Sequence, residues 1–582
     1  MSNTHKLRIQ SAVNQNHGGS YANLSAPVLA TSKIGQILPI VALDCVPGDH
    51  IPLHVSQFAR FQPLNVPAYV KLDFRTMAVF VPYHQVVDGI ESYISNQKYF
   101  KGVQNEIPNI PRENFCALLT NAAISSVTST DAEADIKCGS TVATAQLRKF
   151  TPLGRYVSKV LMLLGYNWPH RDSDEHLIAF GGDSDRLPPR FSALPLLSFC
   201  HAYNSYLSYS AKYNTSALSK TLEEIKRRSQ SPNTLNSTVL LTLLSSILLT
   251  YEESFFSSCW KQPYTSEPSA TQADWRTTSI SAIDVNGIDR SVEYDVAGGA
   301  NAAVDINQAT QAPGLSAQQI RLCLKFDEYF RRTNYAGSKD IEQIYSRFGV
   351  HIDDYKTRYP YFLGESSQEV QIGDVTSTAH TSEAPIGEYA GKAISDGNIN
   401  VNFDCKDFGM LFVFSWYAPR PMYATGIDKH CLRLSPFDFY TPEFDNGFAS
   451  AVMNAQFNVN TDHAGTTTFG YVPLYTEYLF NNAKIVGDYI RFKGYEAWHF
   501  GRTYDETQDM AAQSDNLIYI PCSGSTFERI FNISDPTLLD VDTIYQTIFI
   551  ECSARRPMKD YTGKSLLGEG DIDLPNMGSQ IN

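Results

Sequence analysis

Tyr69–Pro82 reads YVKLDFRTMAVFVP. Val70, Leu72 and Phe74 alternate with Lys71, Asp73 and Arg75, and from Met77 onward the stretch is wholly apolar. Alternation marks a strand with one wet face, and a continuous apolar run marks one covered on both faces. The stretch therefore predicts a strand running from a half-exposed to a buried place. Ile399–Asp404 (INVNFD), Gly409–Tyr417 (GMLFVFSWY) and Ile544–Glu551 (IYQTIFIE) read the same way. These strands lie far apart in the chain, and what separates them is not a repeat. A mainly β protein follows, an eight-stranded antiparallel jelly-roll sandwich with very large loop and helical insertions.

Helices fill part of the insertions. Ser316-Ala317-Gln318-Gln319 is a capping box ahead of Ile320, Cys323 and Leu324, with Arg331 and Arg332 in the last turn. Ile341, Ile344, Tyr345 and Phe348 share a helical face that stops at Gly349, and residues 191–212 are helical after Pro195. Val239–Thr250 (VLLTLLSSILLT) is apolar but far shorter than the ~20 residues a bilayer requires. Residues 263–314 are polar and rich in Ala, Thr, Ser, Asp and Gly, which predicts a long surface excursion.

Composition narrows the class. The 582 residues carry a formal charge of −14, which excludes a protein basic over its whole surface. The 33 Tyr, 32 Phe and 29 Pro suit short strands joined by tyrosine-lined connections such as those holding Tyr203, Tyr206, Tyr209 and Tyr213. Cys45, Cys116, Cys138, Cys200, Cys259, Cys323, Cys405, Cys431, Cys522 and Cys552 include no CxxC pair, so buried free thiols in a reducing compartment are expected. The polar Met1–Lys6 segment has no apolar run after it, so no signal peptide and no membrane insertion are expected.

No catalytic motif is complete. Tyr561-Thr562-Gly563-Lys564-Ser565 ends like a phosphate loop, but Met558 stands where its first glycine belongs. Gly387–Lys392 (GEYAGK) has a short spacing and Ala393 in place of the metal-binding hydroxyl. His50-Ile51-Pro52-Leu53-His54 has zinc-helix spacing, yet Pro52 breaks a helix and Ile51 replaces the general base. Asp353-Asp354 suits a helix cap or solvated turn. No catalytic residue, metal ligand or cofactor is assigned. A soluble carbohydrate-binding or hydrolytic β-sandwich stays open as the alternative reading; a trimeric tail protein would need β repeats that are not visible.

The charge is uneven. Residues 1–43 hold Lys6, Arg8 and Lys33 and no acid, which predicts a basic extended arm ahead of one domain over 44–582. Toward the other end, Arg555, Arg556, Lys559 and Lys564 face only Asp560. Basic ends on an acidic body suit phosphate contacts, the alternative being plain solvation.

Several segments, in order, resemble a known family. They are Asn23-Leu24-Ser25, Gly35–Ile40 (GQILPI), Val46–Asp49 (VPGD), Ala78–Pro82 (AVFVP), Ser192–Pro195 (SALP), Tyr251–Trp260 (YEESFFSSCW), Arg347–Val350 (RFGV), Tyr361–Gly364 (YFLG), Asp438–Pro442 (DFYTP), Phe469–Tyr471 with Glu477-Tyr478, and Trp498-His499. Together they resemble the major capsid proteins of the Microviridae, the small icosahedral single-stranded-DNA phages, and in particular the gokushovirus-like branch. Leu479 departs from the family's arginine, and 120–150 and 213–250 have no counterpart. The resemblance implies a virion protein, made and assembled in a bacterial cytoplasm, with about sixty copies closing a T=1 shell around circular single-stranded DNA. It implies partners: the genome, a small basic DNA-packaging protein, a pilot protein and a host receptor. It places Lys6, Arg8, Arg555, Arg556 and Lys559 on the inner surface, facing nucleic acid, and makes 263–314 the candidate surface protrusion, with 213–250 as the runner-up.

Overall fold

The computed structural model describes residues 20–68, 71–94, 99–100, 103–104, 106–121, 136–139, 146–167, 177–180, 187–208, 217–227, 234–247, 249, 254–259, 359–376, 389–424, 426–434, 436–442, 449–459, 465, 467–501, 522, 524–532 and 542–557. The expected helices at 316–332 and 341–348, the excursion at 263–314, Asp353-Asp354 and 561–565 lie outside these residues.

Ten strands make the framework. They are β1 (Ser20–Asn23), β2 (Ala26–Ser32), β3 (Leu38–Cys45), β4 (His50–Phe61), β5 (Leu72–Pro82), β6 (Tyr361–Glu369), β7 (Gln371–Thr376), β8 (Tyr389–Asp404), β9 (Gly409–Pro419) and β10 (Ile544–Arg556). One sheet runs β1-β10-β4-β8-β7, with β2 also on β10; the other runs β6-β5-β9-β3. Every pairing in both sheets is antiparallel. β1 and β2 lie end to end along β10, Tyr21 opposite Arg555 and Val28 opposite Ile548.

Period two explains which face of the first sheet is buried. On β4, Ile51, Leu53, Val55, Gln57, Ala59 and Phe61 are buried while His50, Phe58 and Arg60 are exposed. On β10, Ile544, Gln546, Ile548, Ile550, Cys552 and Ala554 take the same inner side. The inner faces of the two sheets meet through rings: Phe61 lies edge-on to Tyr417 at 5.3 Å, and Phe80 packs on Phe403 at 4.7 Å. A buried polar rung crosses the layer. Gln57 Nε2 donates to Tyr417 Oη at 3.0 Å and to Gln546 Oε1 at 2.9 Å.

The second sheet is covered on both sides, and this is why β9 is buried along its whole length. The outer cover is helical: α1 (Arg112–Asn121), α2 (Pro152–Leu163), α3 (Leu194–Tyr206), α4 (Ala217–Lys226) and α5 (Ser237–Ser245). Phe199 of α3 lies 5.7 Å from Phe414 of β9. Thr151 caps α2 by accepting from Gly154 N at 3.0 Å, with Pro152 in the first turn, and Asn236 caps α5 through Val239 N at 2.8 Å. Leu218, Leu240, Leu243 and Leu244 are buried, so the described part of 213–250 packs on the core.

A smaller core stands beside the sandwich. Phe255, Phe256 and Cys259 pack with Val452, Phe457, Phe469 and Val472. The hairpin Ala449–Met453 with Thr468–Pro473 supplies the last of these. Phe256 has Tyr423 tilted against it at 4.7 Å and Phe457 edge-on at 5.2 Å, so two distant insertions are joined through aromatic rings.

Two expectations are revised, and the reading of the His50–His54 run against a zinc helix holds. The arm expected over 1–43 runs into the framework from Ser20: β1 and β2 complete the first sheet, β3 opens the second, and Lys33 is buried against Glu528 at 2.7 Å. Composition hid this because Ala, Asn and Pro make weak strand signals that a long partner overrides. Tyr203 is core rather than loop, on the buried side of α3, and Tyr206 donates to Pro360 O. The His50–His54 run is strand: His50 Nδ1 meets Asp404 at 2.6 Å and His54 meets Asn400 across the sheet.

Candidate functional site

Arg555 and Arg556 are neighbours at the end of β10, and the strand sends them to opposite sides. Arg556 turns inward. Its Nη2 donates to Asp44 O at 2.7 Å and stands 3.6 Å from the carboxylate of Asp49, whose side chain is fully buried. Asp49 Oδ2 also accepts from Val46 N at 2.9 Å, so this ion pair ties β10 to the turn between β3 and β4. Arg555 is exposed, between Tyr21 of β1 and His50 of β4. Lys6, Arg8 and Lys559 lie outside the described residues.

Arg555 belongs to the outer face of the first sheet, where Tyr21, Phe58, Tyr545 and Phe549 expose their rings. Beside them a groove of ≈ 670 Å³ is lined by Leu29, Phe58, Arg60, Met162 and Tyr545. At its floor Lys159 Nζ bridges Asp542 at 2.8 Å and Gln36 at 2.6 Å. Burial pulls the Lys159 pKa down, and the Asp542 charge opposes that pull.

A second group of exposed apolar residues lies in the 427–500 lobe. Leu434 is 94% exposed and Leu479 83%, and Phe439, Tyr440, Tyr478, Val486, Phe492 and Tyr495 accompany them. The backbone is built to display them. Short 3₁₀ turns follow one another over Lys429–Leu432, Thr476–Tyr478 and Lys493–Trp498. Tyr475 holds φ at 69°, a left-handed conformation unusual for an aromatic residue. That turn sets Tyr475 5.2 Å from Tyr440 and 6.3 Å from Tyr478. Arg433 braces the group, its guanidinium 4.3 Å from the Tyr478 ring and 3.7 Å from Glu477.

His499 closes the base of this lobe, edge-on to Tyr489 at 6.1 Å, while Arg529 Nη2 donates to the carbonyls of His499 and Gly501. Burial, then the Arg529 charge, hold its pKa below the ordinary imidazole value. The neutral ring therefore stabilises the fold fully above about pH 6.5, and that contribution is lost as pH falls from there toward the folded-state pKa. Thermal midpoints measured from pH 7.5 to 5 should fall in the native chain and fall less in His499→Gln.

Among the described residues no group of three His, Cys, Asp or Glu side chains is placed to hold a metal, and no helix is long and apolar enough to cross a membrane. Many exposed large apolar residues gathered in one lobe ordinarily mark a contact surface. A β-sandwich that offers leucines and rings to its surroundings from a braced lobe is, as a class, a structural protein that associates through its surface.

Comparison with known proteins makes the class specific. The sequence matches the Capsid protein (F protein) family over residues 11–151 and 245–563, and the chain belongs to that family, as a major capsid protein of the Microviridae. The unmatched 152–244 stretch supplies α2, α3, α4 and nearly all of α5. Capsid protein VP1 of Chlamydia phage 1 is 25% identical over 183 residues, 30% of this chain and 31% of that protein. Capsid protein VP1 of Spiroplasma virus 4 is 24% identical over 281 residues, 46% of this chain and 48% of that protein. That of Bdellovibrio phage phiMH2K is 23% identical over 286 residues, 48% of this chain and 51% of that protein. The chain thus spans from under a third to about half of the length of these relatives. Membership of a capsid-protein family implies a structural role.

Proposed function

We propose that about sixty copies of this chain close a T=1 icosahedral shell around a circular single-stranded DNA genome, the self-limiting outcome of heterologous contacts that meet at a closed symmetry. The sandwich is an eight-stranded jelly roll in this reading. β2, β10, β4 and β8 follow one another in one sheet, β3, β9, β5 and β6 in the other, with β7 continuing β6 across to the first sheet. Numbering the eight strands along the chain gives orders 1-8-3-6 and 2-7-4-5, the arrangement two interlocked Greek keys produce.

One observation carries the proposal: the braced, apolar 427–500 surface, which is costly in water and favourable against another copy. The remaining assignments follow from the capsid role. Arg555, with Lys6, Arg8 and Lys559, meets genome phosphates on the inner side, while exposed rings such as Tyr21 stack on bases. Residues 263–314 form the protrusion that meets a host receptor. A small basic packaging protein and a pilot protein complete the virion, which assembles in the host cytoplasm.

Leu434→Asp with Leu479→Asp tests the carrying observation. Neither side chain is in the core, so the fold should persist, whereas losing two central apolar contacts removes several-fold to a hundred-fold in each subunit contact. Electron micrographs and light scattering should show folded single subunits and no shells. Shells of normal yield from the double variant would refute the assignment of this surface.

A further inference from the structure

We infer that a pocket within the 427–500 lobe is a binding site for phosphate, taken free or as a small phosphomonoester. The pocket holds ≈ 140 Å³ between three segments: 427–433, the turn carrying Gln456, and 477–484, with Phe255 and Phe256 of the small core as its apolar side. A water occupies about 30 Å³ in the liquid, so the space asks for something larger than one water. The walls are fixed main chain to main chain. Ile427 N donates to Ala455 O at 2.9 Å, and a first side-chain carbon on Gly426 would fall 1.9 Å from Gln456 O. Ile485 N donates to Tyr423 O at 3.0 Å, which ties in the third segment.

Charge decides the sign of the ligand. Lys429, Arg433 and Lys484 line the pocket together with Asp428 and Glu477. Both carboxylates are engaged: Lys484 pairs with Asp428, and Arg433 stands 3.7 Å from Glu477. Among the described residues Lys429 has no carboxylate beside it and reaches only Ser450 Oγ, at 3.5 Å. Three cations around so small a space repel a metal ion, and the one left over calls for an anion.

Hydrogen bonding decides its kind. Gln456 is 4% exposed and its Oε1 has no partner, and Arg433 Nε has none either. Buried polar groups ordinarily find partners, so an orphaned amide on a pocket wall marks a missing one. Turning that amide presents either its NH2 or its carbonyl to the space. Asn481 and Asn482 bring two further amides. Chloride answers the charge alone. A phosphate answers both needs, because its tetrahedral oxygens accept from lysine, arginine and amide donors on three sides, and a hydroxyl on it donates to a carbonyl. Once bound it bridges 427–433 to 477–484, stiffening the lobe that displays Leu434 and Leu479.

The inference does not rest on the shell reading, and its test is a binding measurement on the purified full chain. Calorimetric titration with inorganic phosphate, at an ionic strength held constant with chloride, should give a Kd of roughly 1 mM or tighter, and phosphate should raise the thermal midpoint. Gln456→Leu is the sharpest variant, because Oε1 has no hydrogen bond to lose. Its stability without phosphate should hold or rise, while its phosphate affinity falls about tenfold. Lys429→Ala should also weaken binding about tenfold, and Lys71→Ala, an exposed lysine outside the pocket, should leave it unchanged. Glycerol phosphate separates the two sources: binding equal to that of phosphate assigns the site to an esterified group, and exclusion assigns it to the free anion. Heats no larger than those of the chloride control, native affinity in Gln456→Leu, or an equal loss in Lys71→Ala would each overturn the inference. Should Gln456→Leu fail to fold, the two lysine variants decide the matter alone.

Discussion

Gly397→Val should leave almost no folded protein. Gly397 lies on the inner side of β8, and a side chain there would put its first carbon 2.2 Å from Phe74 Cε1 and 2.5 Å from Cδ1. Phe74 has no room to retreat, because it is buried and packs on Tyr417 at 5.0 Å, which in turn meets Phe61. Either the ring leaves its rotamer or the sheets part, and overpacking of this severity costs upward of about 4 kcal/mol, a large share of the stability of a domain. Solubility on expression and urea unfolding are the measurements. Trimming the ring with Phe74→Leu should restore part of the loss in Gly397→Ala; full stability of Gly397→Val would refute this close approach of the two sheets.

Arg556→Ala carries the second large effect. Removing the guanidinium strands Asp49 as a buried carboxylate with one backbone donor, and breaking a buried pair from one side costs about 3 kcal/mol. Asp49→Asn should recover much of it by removing the stranded charge. Arg555→Ala, one residue earlier and outward, should change stability by no more than about 0.5 kcal/mol. Equal losses from the two substitutions would refute the division of roles between them. Denaturant midpoints of Arg556→Ala, of Arg556→Ala with Asp49→Asn, and of Arg555→Ala decide it, and the nucleic-acid content of particles formed by Arg555→Ala reports on the genome contact separately.

That division is legible in the sequence. Ile544, Gln546, Ile548 and Ile550 set the parity of β10, and carrying the count forward puts residue 556 inside and 555 outside. Treating the basic cluster as a single charge patch hid the alternation that strand geometry imposes. The strands at Leu72–Pro82 and Gly409–Pro419, and the Ile399–Asp404 end of Tyr389–Asp404, are readable for the opposite reason: the period and the apolar runs are local properties. Their partners were not readable, because which strands pair is fixed by contacts across hundreds of residues. The same holds for the small core. Phe255 and Phe256 look like part of a polar stretch until Phe457 and Phe469 are set against them. Leu434 and Leu479 stand in short irregular segments with no strand or helix period, and nothing in the sequence there tells a leucine that faces out from one that faces in.

The pairing of β10 has a consequence for timing. It sits between β2 and β4, so the sheet that holds the earliest described strands is split until the latest has been made. At roughly 5–20 residues per second, a ribosome takes on the order of half a minute or more to reach that strand after releasing β4. Throughout that interval the nascent polypeptide exposes two raw edges, a hazard where many copies are translated side by side. The same delay guards against premature polymerisation, because an unfinished subunit lacks the rigid body that its neighbours must recognise.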